Sequence, residues 1–197
     1  MGDLAPVREF KPADEEIILE YLMRKINNEA FHTDMINTVQ FYASTPDNIS
    51  QMHRASGDRV WYYFTQRRRK HRRGHQVDRT AGDGYWKVIG ALKRITHNGE
   101  RIGLRRLFVY STGTYRDSVQ TDWLMQEFTV PENRARMGDW VGCKMYKTTR
   151  QGGSSSLIRD AVNESRSSRK RNHDGEANNN PTYAEVELMK KYKIDET

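Results

Sequence analysis

Three groups of residues have the types and spacing from which chemistry could be built. The segment TAGDGYWKVIG, residues 80–90, combines two glycines and a lysine as phosphate-cradling loops do. His71 and His75 stand four residues apart, a spacing that could share a metal ion on a helix. Asp122 and Glu127 bracket an apolar segment and could supply two carboxylates to one site.

None of these groups completes an enzyme signature. A Walker loop needs Ser or Thr after its lysine, whereas Lys87 is followed by Val88. The histidines lie in RRRKHRRGH, where six basic residues would repel a metal cation. We therefore expect no catalytic residue, no metal, no cofactor and no small-molecule substrate. We expect the glycines to form a tight turn that leads into a strand, with Tyr85 and Trp86 packing to hold it.

The distribution of charge gives a more specific indication. The chain of 197 residues carries a net charge of +7, but residues 61–110 hold thirteen Lys/Arg against three Asp/Glu, a local charge of +10. A basic block in an otherwise mildly acidic chain favours a localised polyanion site, with nucleic acid ahead of an acidic membrane surface. A merely solvated basic face stays the alternative. Several cations fall on candidate strands: Lys87, Lys93, Arg94, Arg105 and Arg106.

The elements that must position these cations follow from residue patterns. ADEEIILEYLMRKI predicts a helix, with Ile18, Tyr21, Leu22 and Lys25 on one face. Five later segments, from RVWYYFTQ to DWVGCKMYK, read as strands separated by turns such as HNGE. No long helical crossover separates them, which predicts an α+β fold: a twisted, mainly antiparallel β-sheet flanked by an N-terminal helix and short helices. Cys143 is expected to be a core thiol.

The order FKPADEEIILEYL, RVWYYF, DRTAGDGYWKVIG, TDWLMQEF, DWVGCKMY resembles the NAC domain of plant-specific transcription factors. The resemblance covers roughly residues 4–147. It implies a domain at residues 1–150, sequence-specific binding to double-stranded DNA in the nucleus, and a strand edge at residues 86–93 that enters the major groove. Residues 151–197 are then a polar tail, expected to be disordered.

The resemblance also implies roles for particular residues. Lys70 and Arg79 match positions of DNA-contacting cations, Arg72 and Arg73 are additional cations beside them, and Ile89 could touch a thymine methyl. The expected DNA-binding set is Lys70, Arg72, Arg73, Arg79, Lys87, Ile89, Lys93, Arg94, Arg105 and Arg106. The family pairs through its N-terminal segment, which implies a homo- or heterodimer with Arg8, Glu9 and Glu16 at the interface. In the tail, Arg166, Arg169, Lys170 and Arg171 resemble a nuclear-import patch.

Four departures from the family pattern support an alternative function. Glu9 stands where the family has Arg, Gln76 where it has a DNA-contacting cation, and Ile89 where it has Thr; Asp117 falls where a lysine-rich turn is reduced. The alternative is an interaction module that dimerises with related factors and modulates them, with weak or no DNA binding of its own.

Overall fold

The computed structural model describes residues 10–67, 77–114, 117–131 and 140–148. Within these ranges seven strands form one sheet. They are β1 (Ile36–Thr38), β2 (Val60–Gln66), β3 (Thr80–Ala81), β4 (Gly84–His97), β5 (Glu100–Thr112), β6 (Val119–Thr129) and β7 (Trp140–Lys147). The five strands expected from the sequence are confirmed, and β1 and β3 are two short additions.

The strands are arranged in the order β1-β2-β7-β6-β5-β4-β3. All neighbouring pairs are antiparallel except β1 and β2, which run parallel with Ile36 opposite Tyr62. The connection between them contains a 3₁₀ turn, Phe41–Ala43, and the helix Pro46–Met52, so the chain has the length that a parallel pairing needs. The α+β class and the mainly antiparallel sheet are confirmed, and the one parallel pair involves β1, a strand that the sequence did not predict.

The N-terminal helix covers one face of the sheet. It consists of an α-helical turn, Asp14–Glu16, a π-helical segment, Ile17–Leu22, and a second α-helical turn, Met23–Ile26. In a π-helix residues five apart are stacked, so Ile17 joins Leu22 in the core, as does Ile18. The predicted face is therefore shifted: its other two members, Tyr21 and Lys25, are half-buried at the margin. The three buried side chains pack with Tyr62, Phe64 and Phe128.

The opposite face of the sheet carries an aromatic core. Tyr63, Trp86 and Phe108 lie there with the buried thiol of Cys143, and Phe41 packs over them. Burial raises the pKa of the Cys143 thiol well above its ordinary value, as expected of a core cysteine. The helix Pro46–Met52 helps to cover this face. Its proline occupies the first helical turn, where no N–H is needed.

The β4–β5 hairpin has a two-residue turn at Asn98 and Gly99, with φ of 51° and 81°. Positive φ at both positions is typical of the type I′ turn, whose twist matches that of the strands. The HNGE turn is thus confirmed. None of the helices that the structure describes is long and apolar enough to cross a membrane.

Candidate nucleic-acid interface

The outer edge of β4 is paired with a described strand only at its first residues. β3 is the strand beside it, and β3 pairs only through Thr80 with Tyr85 and Ala81 with Gly84. One further backbone bond joins the N–H of Trp86 to the carbonyl of Arg79. Beyond Trp86, no strand of the described sheet flanks β4 on this side. The edge that follows contains the predicted groove-reading residues.

A bulge interrupts the strand pairing at the centre of β4. Ile89 pairs with Leu107 and the next pair is Lys93 with Arg105, so three residues of β4 lie opposite one residue of β5. Gly90 has φ of 71°, a left-handed conformation that glycine adopts at little cost. Residues 90 and 91 are exposed. The bulge therefore leaves a short, exposed backbone segment at the centre of the strand.

Trp86 anchors the strand just before the bulge. Trp86 is 2% exposed. Its indole stacks on the Phe41 ring with the ring centres 5.5 Å apart, and the centre of the Tyr110 ring lies 5.3 Å away. The Tyr110 hydroxyl donates a 2.7 Å hydrogen bond to the carbonyl of Ala81. At Gly84 a side chain would come within 2.7 Å of the Tyr110 ring, so glycine is required there. The expected roles of the glycines and of Trp86 are confirmed: they build a turn and an anchor. Tyr85 is half-buried.

The predicted cations of β4 are distributed over both faces of the strand. Trp86 and Val88 belong to the aromatic core, so the alternation of a strand places Lys87 and Ile89 on the other face. Both of these are half-buried. After the bulge, Lys93 and Arg94 are exposed. The strand thus presents cations on both sides of the protruding backbone.

Arg79 holds a buried carboxylate. Its Nη2 donates to Oε1 of Glu127 at 3.0 Å, and its guanidinium lies 4.6 Å from the centre of the Phe108 ring. The Tyr42 hydroxyl donates to Oε2 of the same carboxylate at 2.7 Å. Burial opposes ionisation of Glu127, but the cations of Arg79 and Arg67 and the Tyr42 bond outweigh it and lower its pKa.

Arg105 makes a second ion pair, with the N-terminal helix. Its Nη1 lies 2.7 Å from Oδ2 of Asp14, and both side chains are more than two-thirds buried. At the end of β4, beside the hairpin turn, Nδ1 of His97 lies 3.0 Å from Oε2 of Glu15 in the N-terminal helix. These contacts tie the end of the β4–β5 hairpin to the helix. A phosphate contact by Arg105 would therefore have to compete with Asp14.

Two residues of this region have roles that the sequence does not predict. Glu127 was considered as one of a carboxylate pair, whereas the structure makes it the counter-ion of Arg79. Arg67, counted only within the basic run, lines a cleft with Arg79, Arg106 and Glu127. No sequence signal links these four, because their proximity depends on strand register. No cluster of potential metal ligands is found among the described residues.

The remaining predicted residues divide into two groups. Glu16 is exposed, and its Oε2 accepts a 3.3 Å hydrogen bond from the backbone N–H of Ala13 at the start of the helix. The others lie outside the described residues: Lys70, Arg72, Arg73, Arg8, Glu9, His71, His75, Gln76, Arg166, Arg169, Lys170 and Arg171.

Comparison with known proteins identifies the family. Residues 5–130 match the family described as No apical meristem (NAM) protein. The chain is 34% identical over 151 residues to NAC domain-containing protein 72 of Arabidopsis thaliana, which covers 74% of this chain and 50% of that protein. It is 33% identical over 165 residues to NAC domain-containing protein JA2L of Solanum lycopersicum, a match that covers 81% of this chain and 46% of that protein. With NAC domain-containing protein 67 of Oryza sativa subsp. japonica it shares 34% identity over 155 residues, 73% and 55% of the two chains.

These matches define the class of protein. The chain belongs to the NAC-domain family, whose members are plant transcription regulators rather than enzymes. It spans about half the length of the curated relatives that it matches.

Proposed function

We propose that this chain is a nuclear, sequence-specific double-stranded DNA-binding regulator that inserts the bulged edge of β4 into the major groove. The observation that carries the proposal is the bulge at residues 90–92 of β4, where residues 90 and 91 are exposed, no strand of the described sheet lies outside β4, and Lys87, Lys93 and Arg94 stand on either side. A strand edge of this kind can enter the major groove, where base pairs present a distinct pattern of donors and acceptors.

Cations around this edge would bind the phosphates. Lys93 and Arg94 are exposed and are the most accessible of the described candidates. Arg79 and Arg106 lie on the side that faces the cleft, and Arg105 would first have to leave Asp14. Lys70, Arg72 and Arg73, outside the described residues, would add charge from the preceding basic run. Phosphate contacts set affinity and orientation, while residues such as Ile89 read base edges.

Selection from a pool of random duplexes with the full chain tests this proposal directly. We expect the wild type to enrich a sequence motif. A Lys93→Ala/Arg94→Ala double variant should keep its thermal stability but fail to enrich that motif. Recovery of unselected sequences at every round would contradict sequence-specific binding. The matched control is Arg101→Ala, which removes an exposed cation from β5 near the hairpin tip.

A dimer with a second copy or a related factor belongs to the same proposal. Glu16 lies exposed at the start of the N-terminal helix, where a cation from another chain could reach it; Arg8 and Glu9 would complete the interface. An exposed ion pair supplies at most about 1 kcal/mol, so the interface would need further contacts. Sedimentation of the full chain with and without Glu16→Lys would show the dimer and its weakening.

A second function is favoured by the two ion pairs described above. Arg79 and Arg105 are engaged by Glu127 and Asp14, which reduces the charge available to DNA. The chain could then act chiefly by dimerising with related factors. Co-purification with a related NAC-domain protein, together with no retention on any duplex, would favour this function over direct DNA reading.

Nuclear import would depend on the basic patch in the tail. Replacing Arg166, Arg169, Lys170 and Arg171 by Ala in a fluorescent fusion is expected to leave the protein in the cytoplasm. Unchanged nuclear accumulation would exclude this patch as the import signal.

A further inference from the structure

An arginine-lined cleft lies beside the bulge, on the face of the sheet that carries the aromatic core. Its volume is about 100 Å³, and its walls include Arg67 from the end of β2, Arg79 from the entry to β3 and Arg106 from β5. Leu92 of the bulge and Glu127 of β6 also line the cleft. Segments far apart in the chain therefore direct three guanidinium groups toward one small space.

The cleft has an excess of positive charge. Among the described residues that line it, three arginines stand against a single carboxylate, a balance of two positive charges. Guanidinium groups stay protonated at any pH at which the protein folds. The Glu127 carboxylate is already bound by Arg79 and by the Tyr42 hydroxyl, at 3.0 and 2.7 Å. All three arginines attract this carboxylate, which leaves the described lining of the cleft with a net positive charge.

One buried hydrogen-bond donor in the cleft lacks an acceptor within the described part of the chain. Nε of Arg67 is buried and has no hydrogen-bond partner among the described residues. A buried donor without an acceptor is costly, so an acceptor supplied from outside the protein would be favoured. The side chain as a whole is only half-buried, which leaves a route for an anion to reach it.

We propose that this cleft is a binding site for a single phosphate-type oxyanion, held by Arg67, Arg79 and Arg106. Guanidinium groups donate to such oxygens in a fixed fork, and groups from three directions suit a tetrahedral anion. The phosphate can be a free ion or one phosphate of a duplex backbone. Only the second source rests on the proposed function.

The first arm of the test uses inorganic phosphate and the full chain. Phosphate is titrated against chloride at constant ionic strength while the Nε–Hε resonances of the arginines are followed by NMR. We expect a saturable shift of the Arg67 resonance, and Arg67→Met to weaken phosphate binding about tenfold or more. Arg101→Met removes an exposed arginine outside the cleft and should leave the affinity unchanged. Thermal melting of both variants checks that they fold.

The second arm adds a duplex. If a duplex shifts the Arg67 resonance and phosphate competes with it, the cleft takes a backbone phosphate. If phosphate binds without competing with the duplex, and Arg67→Met keeps its duplex affinity, the cleft takes a free oxyanion. If the wild-type Arg67 resonance responds saturably to neither, or Arg67→Met binds phosphate as the wild type does, the site is disproved. Normal duplex binding by that variant would leave the DNA proposal intact.

Discussion

Nη2 of Arg79 lies 3.0 Å from Oε1 of Glu127, and the two side chains are 19% and 4% exposed. The arginine precedes the short strand β3, at the start of the glycine turn, whereas the glutamate lies in the interior of β6. This ion pair therefore fixes the chain that enters β3 and β4 against the centre of the sheet. Any change in Glu127 should affect both the stability of the fold and the position of that chain segment.

Replacing Glu127 by Gln should destabilise the protein by about 3 kcal/mol, because Arg79 would be left partly buried without its counter-charge. Urea denaturation at neutral pH measures this change in the free energy of unfolding. The difference should shrink on acidification. Since the folded-state pKa of Glu127 is lowered, its contribution is complete above the unfolded pKa of about 4.3 and disappears as the pH falls through the folded pKa.

The control for this change is Glu100→Gln, at the exposed start of β5, which should alter stability little. A Glu127→Gln variant as stable as the wild type, or a difference that grows toward low pH, would disprove the role given to this ion pair.

Replacing Gly90 by Ala should weaken duplex binding as well as the fold. At φ of 71° a side chain costs roughly 1–2 kcal/mol, and relief of that strain would flatten the bulge. Gly99→Ala is a matched control, since Gly99 has φ of 81° and open space where a Cβ would stand. Both variants should lose similar stability in thermal melting, and only Gly90→Ala should lose duplex affinity. Equal losses of affinity would show that the bulge has no special role.

Replacing Arg94 by Ala should reduce the salt dependence of duplex binding. One lost phosphate contact lowers the slope of log affinity against log salt by about 0.9. Fluorescence anisotropy over a series of salt concentrations gives the slope. Arg101→Ala, also an exposed arginine of the hairpin, should leave the slope unchanged. Identical slopes for Arg94→Ala and the wild type would remove Arg94 from the phosphate contacts.

Replacing Ile89 by Thr should change sequence preference without changing the salt slope. The substitution exchanges an apolar contact for a hydroxyl, and a base contact of this kind discriminates between bases rather than attracting phosphates. Selection from random duplexes is expected to yield a motif that differs at one or two positions. An unchanged motif would indicate that Ile89, half-buried beside Lys87, does not reach the bases.

The sequence was sufficient to predict the elements with strong local patterns. Alternating apolar residues identify β2 and β4–β7, the Asn98-Gly99 pair identifies the β4–β5 turn, and acidic residues identify the start of the N-terminal helix. It was not sufficient for β1, a three-residue strand whose parallel pairing depends on long-range contacts. The π-helical segment was missed because an i to i+3/i+4 pattern does not distinguish it from an α-helix.

The candidate site was predictable in part for a similar reason. Lys87, Lys93 and Arg94 follow one another along a strand, so their proximity can be inferred from the sequence. The cleft is built from β2, β5, β6 and the entry to β3, and its existence depends on register and on the bulge of β4. Neither can be read from local residue patterns.

Methylation interference on a selected duplex tests the central claim, insertion of the β4 edge into the major groove. Methyl groups at guanine N7 block the major groove, whereas those at adenine N3 block the minor groove. We predict that guanine N7 methylation within the enriched motif abolishes binding by the full chain and that adenine N3 methylation there leaves it unchanged. Interference confined to adenine N3, or none at either position, would contradict the account.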